Sequence, residues 1–167
     1  MIIGHGDIGT ALKEVDRDDI LFFASGVSNS KEVKEEEYQM EEQALLKQPR
    51  NAHLVYFSSL SVFYANTRYA QHKRHMEKVI KSKFKLHTII RLGNIDWGDN
   101  PNTIINYLRS QYMQKKPLEI QDVYRYVISK EEFLHWMRLI PKWSCQMNLP
   151  GRMLKVSDIV KEYVERN

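Results

Sequence analysis

The 167-residue sequence predicts a doubly wound α/β fold around a parallel sheet of about five strands. Three observations predict it. Short apolar runs alternate with amphipathic stretches, as in strand–helix–strand units. A glycine-rich turn, Gly4-x-Gly6-x-x-Gly9, joins the first apolar run to a helical pattern. Hydrophobic residues make up 43% of the chain, enough for one core at this length.

Each element has its own signal. Met1 to Ile3 is a very short strand, and helix continues from Thr10 to Val15 after the glycine turn. The run Ile20-Leu21-Phe22-Phe23-Ala24 is a second strand, followed by a small-residue loop, Ser25-Gly26-Val27-Ser28-Asn29-Ser30. A long helix is expected over 31–47. Val33, Met40, Ala44 and Leu45 share its inner face, while Glu35, Glu36, Glu37, Glu41 and Glu42 face water. His53-Leu54-Val55-Tyr56-Phe57 is a third strand ending in Ser58-Ser59, and a helix over 67–81 carries Tyr69, Lys73, Met76, Glu77 and Ile80 at helical spacing.

A fourth strand covers 86–92. Beyond Trp97 the rhythm changes, and residues 97–167 contribute a small C-terminal cap to what reads as a single domain over 1–167. Asn100-Pro101 starts a helix, with a capping residue followed by proline, that holds Ile104, Ile105, Tyr107, Leu108 and Tyr112 until Lys116-Pro117. Residues 123–128 form a strand. Ser129-Lys130-Glu131-Glu132 is a capping box for a helix through Arg138, Met147-Asn148-Leu149-Pro150-Gly151 is a turn-bounded strand, and Ser157 opens a terminal helix. Trp97, Trp136 and Trp143 are expected to pack in the cap, and Cys145 to be a small buried residue.

Composition excludes several classes. No run approaches the roughly 20 apolar residues of a membrane helix, and the first residues lack the basic-then-apolar layout of a signal peptide. One cysteine cannot form an internal disulfide, so a reducing, cytoplasmic setting is expected. Net charge is +4, with basic clusters at 71–75 and 81–85 too short for a nucleic-acid stripe. The six histidines show no metal-ligand spacing, so no metal is expected.

Chemistry concentrates in two places. In a glycine turn between strand and helix, the first glycine permits the bend, the second lets a pyrophosphate approach the backbone, and the third brings the helix close. In Tyr69-x-x-x-Lys73 the two side chains share one helix face a turn apart. Ser59 ends the preceding strand, at the carboxyl edge where parallel sheets place ligands. A phenol ionises near pH 10 in water, and a nearby ammonium favours its phenolate. Tyr69 can thus exchange a proton with a substrate oxygen that Ser59 polarises, while Lys73 reaches a ribose hydroxyl.

The order Gly-x-Gly-x-x-Gly, strand-Ser-Ser, Tyr-x-x-x-Lys, then Arg91-Leu92-Gly93-Asn94 resembles the short-chain dehydrogenase/reductase superfamily, and within it the extended, NAD-dependent epimerase/dehydratase-like branch. The resemblance implies a trimmed Rossmann-like sheet with a small C-terminal substrate cap, and an NAD(P)-dependent epimerase or reductase acting on a nucleotide-linked sugar. It implies Ser59, Tyr69 and Lys73 as catalytic residues, and Gly4, Gly6, Asp7, Ile8, Gly9, Ser25 and Lys73 around NAD or NADP. Asn94 falls where the branch contacts the sugar nucleotide, and Tyr64 stands near the same pocket. It also implies a homodimer through the helices near 31–47 and 67–81.

The departures are specific. Members of the branch are roughly twice this size. The strand–helix–strand unit expected between Val15 and Ile20, which carries the adenine and ribose contacts, is missing. Ile3 replaces the first glycine of the branch's fuller motif, and the 59–69 loop is short. Leu60-Ser61, where dehydratases carry acidic residues, argues against dehydration. A catalytically degenerate nucleotide-binding or protein-interaction module is therefore the rival reading.

Overall fold

The computed structural model describes residues 1–118 and 120–165. Its centre is a five-stranded sheet in the order β1-β2-β3-β4-β7, with every neighbouring pair parallel. The strands are β1 (Ile2–Ile3), β2 (Ile20–Phe23), β3 (His53–Ser59), β4 (Leu86–Leu92) and β7 (Cys145–Leu149). Near-continuous apolar runs suit strands covered on both faces. Leu21, Phe23, Leu54, Tyr56 and Ile89 pack with Leu45 of α2 (Glu35–Leu46) and with Met76 and Ile80 of α3 (Arg68–Lys83). Phe22, Val55, Phe57, Ile90 and Leu92 meet Ala11 and Leu12 of α1 (Asp7–Leu12), with Phe133, Leu134 and Met137 of α5 (Lys130–Arg138), on the opposite side. The predicted doubly wound, Rossmann-like sheet is therefore present.

Local signals account for most element ends. Thr67 caps α3 by accepting from the Ala70 N–H, and Ser129 caps α5 by accepting from the Glu132 N–H. The helix expected at Asn100-Pro101 instead begins at Ile104, with Thr103 as its cap, as α4 (Ile104–Met113). The Asn100 carbonyl accepts from the Thr103 N–H and side chain, turning the chain before the helix starts. The loop over 24–34 runs longer than expected, because α2 opens at Glu35 rather than near 31.

A second sheet comprises β5 (Asn94–Ile95), β6 (Tyr124–Ile128) and β8 (Arg152–Lys155). Strands β6 and β8 join α4 and α6 (Val156–Ile159), with its π-helical continuation Val160–Val164, in a separate apolar cluster, while Ile95 of β5 packs on the main core. This is the cap-like region. The stretch beyond Trp97 divides: β7 returns to the main sheet and α5 to its α1 face. The tryptophans divide too. Trp97 packs on Phe133 in a tilted ring contact at 5.1 Å, whereas Trp136 and Trp143 lie at the surface, and Cys145 is half-buried rather than buried.

Two features position the site. The carboxyl ends of β1 to β4 open toward the cap, forming the edge where parallel sheets hold ligands. In addition, α1 connects to β2 through residues 13–19 without another strand, so β1 is the sheet's edge.

Candidate active site

A cavity of about 1160 Å³ lies between the sheet's carboxyl edge and the cap. It is lined by Gly4, Gly6, Asp7, Ile8, Ser25, Ser59, Tyr64, Tyr69, Lys73 and Asn94, so every candidate catalytic, cofactor or substrate residue reaches it except Gly9. Gly9 is a packing position: a Cβ there would lie 2.5 Å from the Gly4 carbonyl oxygen.

The glycine turn brings three elements together. Gly4 has φ +118°, and a Cβ on it would stand 2.4 Å from the Ala24 carbonyl oxygen, so β1 can leave the sheet beside β2 only with glycine there. A Cβ on Gly6 would meet nothing within 4 Å, so that backbone faces open space. The Asp7 carboxylate accepts from the Asp99 and Asn100 N–H groups, each at 3.1 Å, and its carbonyl oxygen accepts from Trp97 Nε1 at 3.3 Å. Asp7 thereby ties the cap segment to the turn.

Gly98 completes this tie at φ +86°, since a Cβ there would fall 2.0 Å from the Asp7 carboxylate carbon. Gly98→Ala is expected to cost about 1–3 kcal/mol through backbone strain and displacement of that carboxylate. Hydrogen exchange should show lost protection at the Asp99 and Asn100 amides; unchanged protection would contradict the tie.

Ser59 is the last residue of β3, its Oγ accepts from the Ser61 N–H at 3.2 Å, and it lines the same cavity as Tyr69. Its neighbour Ser58 donates instead to Glu77 Oε1 at 2.7 Å, in a network where Arg91 grips the same carboxylate at 2.8 and 2.6 Å. Lys73 Nζ stands 5.6 Å from the centre of the Tyr69 ring. Burial raises the Tyr69 phenol above its ordinary value; Lys73 opposes this and Glu41 reinforces it. The phenol is therefore the dominant form at neutral pH.

Glu41 corrects the expectation for α2. It does not face water but is 4% exposed, and the buried stripe of α2 is Tyr38–Glu41–Leu45. Val33 and Met40, expected inside, are 80% and 62% exposed. Lys73 Nζ donates to Glu41 Oε1 at 3.0 Å and to the Tyr56 hydroxyl at 3.0 Å, and Tyr56 donates to Glu41 Oε1 at 2.6 Å. Burial alone pushes the Glu41 carboxyl up, but the Lys73 ammonium, with His72 and Tyr56, outweighs it and brings the group down to about 2.

On the cap side, Tyr124, Arg125 and Tyr126 line the cavity, none of which the sequence reading had singled out. Asn94 Nδ2 donates to the Tyr126 carbonyl at 2.9 Å, which fixes β5 against β6 at the rim. Tyr64 is 73% exposed and shares a smaller adjoining hollow with Leu60, Phe63, Tyr126 and Pro150.

The residues suit a dinucleotide unevenly. The bend at Gly4, the open backbone at Gly6 and the ammonium of Lys73 at the cavity wall fit a phosphate-bearing ligand with a ribose hydroxyl. Beyond edge strand β1 no further strand of the sheet is present among the described residues to support an adenosine.

No family model and no curated protein matches the chain. Solved structures do. UDP-glucuronic acid 4-epimerase from Bacillus cereus, in complex with UDP-4-deoxy-4-fluoro-glucuronic acid and NAD, superposes with a TM-score of 0.65 at 15% identity over 90% of this chain and 60% of that one. UDP-N-acetylglucosamine 4-epimerase from Methanobrevibacter ruminantium, in complex with UDP-N-acetylmuramic acid, gives 0.64 at 12% identity, covering 90% and 61%. UDP-glucose 4-epimerase from Thermus thermophilus, in complex with NAD, gives 0.63 at 14% identity, covering 91% and 62%. The chain thus has the fold of these epimerases and spans about 60% of their length. Among the described residues no helix is long and apolar enough to cross a membrane.

Proposed function

We propose that the chain binds NAD or NADP and acts as an epimerase or reductase on a nucleotide-linked sugar. The observation that carries this reading is the convergence of Ser59, Tyr69 and Lys73 with the Gly4–Gly6 turn on one cavity. Of the three solved structures named above, two hold NAD and two hold a UDP-linked sugar, which supports the same ligand classes here.

In this reading Gly4, Gly6, Asp7, Ile8 and Ser25 form the phosphate-binding side, Gly9 supports it from behind by packing on Gly4, and Lys73 holds a ribose hydroxyl. A nicotinamide held there would supply hydride exchange with the sugar carbon. Ser59 polarises the reacting oxygen, and Tyr69, a phenol at neutral pH, gives that oxygen a proton or takes it back in the reverse half. Asn94 and Tyr64 orient the sugar nucleotide from the cap side. Lys73 lowers the cost of the Tyr69 phenolate, and its own charge is sustained by Glu41. A homodimer through α2 and α3 and a cytoplasmic setting belong to the same proposal.

Isothermal titration with NAD and NADP tests it. Binding of at least one at micromolar to sub-millimolar concentration is the expected outcome, and no heat at millimolar concentration with folded protein would sink it. A second reading, a nucleotide-binding module without turnover, is favoured by the exposed edge at β1. It predicts binding but no interconversion of any UDP-sugar.

A further inference from the structure

Glu41 draws together four parts of the chain that have nothing in common in sequence. Lys73 and Tyr56 donate to its Oε1 at 3.0 and 2.6 Å. The Val27 N–H donates to Oε2 at 2.9 Å, and His72 Nε2 lies 3.1 Å from that same oxygen. A Cβ on Gly26 would stand 2.5 Å from the carboxylate carbon, so the loop after β2 closes directly on this group. The loop, through Ser25, Gly26 and Val27, and Lys73 are both part of the cavity wall.

We propose that Glu41 is the positioning residue of this site, fixing the Lys73 ammonium in place and in charge and fastening the loop after β2 to it. A buried ammonium without a counter-charge sheds its proton, because desolvation disfavours the charged form. Lys73, 4% exposed, has Glu41 as its counter-ion. The other titratable groups facing it are Tyr38 of α2, Tyr56 of β3 and Tyr69 of α3; none carries a negative charge at neutral pH while protonated. His72 faces the carboxylate from the other side. An ammonium has three N–H groups. Glu41 and Tyr56 take two of them, so the third is directed by the pair that holds the others. Glu41 thus sets whether Lys73 can serve a ribose hydroxyl and Tyr69 at all. The consequence for ligand binding rests on the function proposed above; the effect on Lys73 does not.

The test is a pH titration of the Lys73 side chain by NMR in ligand-free protein with labelled lysine, its signal assigned by loss in Lys73→Arg. In the unmodified protein Lys73 is expected to stay an ammonium through the ordinary lysine range, since Glu41, with smaller help from Tyr69 and Tyr38, outweighs burial. In Glu41→Gln its midpoint should fall by about two pH units or more. Glu41→Asp should restore most of that loss, and Tyr56→Phe, which removes a hydrogen bond but no charge, should move it far less. NAD affinity by calorimetry should fall at least tenfold in Glu41→Gln. Should that variant fail to fold, Gly26→Ala, which keeps every charge and presses on the carboxylate, should lower the midpoint in the same direction.

An unmoved Lys73 midpoint in folded Glu41→Gln, or in Gly26→Ala if that variant is used, overturns the inference whatever the affinity does. Absence of NAD binding to the unmodified protein removes the proposed function instead, and the Lys73 midpoint still decides the role of Glu41.

Discussion

Tyr69→Phe is expected to lower turnover of a UDP-linked sugar by about 10²–10⁴-fold, the range for loss of a positioned acid–base group. Only the hydroxyl is removed, and the ring that meets Lys73 at 5.6 Å remains. Thermal stability and NAD affinity should therefore change little, and the loss should appear in kcat rather than KM. Tyr64→Phe, at a 73% exposed rim position, should act mainly on KM for the sugar. The pH dependence follows from the direction of the Tyr69 shift. Burial holds the phenol protonated through neutral pH, so the carbonyl-reducing direction should be nearly flat there, while alcohol oxidation should rise toward alkaline pH as phenolate forms. Single-turnover rates of nicotinamide reduction by the sugar and of its reoxidation, followed by absorbance, would measure this. A Tyr69→Phe protein that binds NAD and retains full turnover would exclude Tyr69 from the chemistry.

What was legible in the sequence was local. The runs of β2 and β3 are apolar on both faces, so period and length alone identify buried parallel strands, and β4 covers the expected residues 86–92. The cap at Ser129 is readable because its partner lies three residues on. Ser59, Tyr69 and Lys73 could be placed together because a strand end and a helix face are short-range geometry.

Glu41 was not legible for the converse reason. It is one of several glutamates on a helix that reads as solvated, and the lysine that draws it inside lies 32 residues away. With Glu41 assigned to water, the inner face of α2 is read from Val33, Met40, Ala44 and Leu45; Leu45 is buried and Ala44 half-buried there, whereas Val33 and Met40 are exposed and Tyr38 goes unseen. A one-residue-type pattern cannot report a partner supplied by another element. Tyr56 was hidden likewise, because its phenyl ring satisfies the strand pattern while its hydroxyl serves Lys73 and Glu41. Asp7 combined a legible place in the glycine turn with an illegible task, since its backbone partners come from Asp99 and Asn100 in the cap.

The buried pair also fixes how the fold should respond to acid. The Glu41 carboxyl sits at about 2 in the folded chain against an ordinary value of 4.5, so the folded state binds its proton more weakly than the unfolded state does. The stabilisation is present in full above about pH 4.5 and is lost as pH falls through 4.5 toward 2, amounting to about 3 kcal/mol at 1.36 kcal/mol per pH unit. Glu77, held below its usual range by Arg91 and Ser58 against the upward push of burial, acts in the same direction. Lys73 acts at the other end: its proton is held more tightly in the fold, so that contribution persists below the ordinary lysine range and fades at higher pH. Denaturant midpoints from pH 7 to 2.5 should therefore fall steeply for the unmodified protein and less steeply for Glu41→Gln. At neutral pH the variant should be weaker by about 3–5 kcal/mol, because a buried ammonium has lost its counter-ion. Near pH 2 the two should converge, since a protonated glutamate and a glutamine place the same lack of charge beside Lys73. Parallel curves across the whole range would mean that the carboxylate does not carry the acid sensitivity, and that Glu41 and Lys73 are not paired as charges inside the fold.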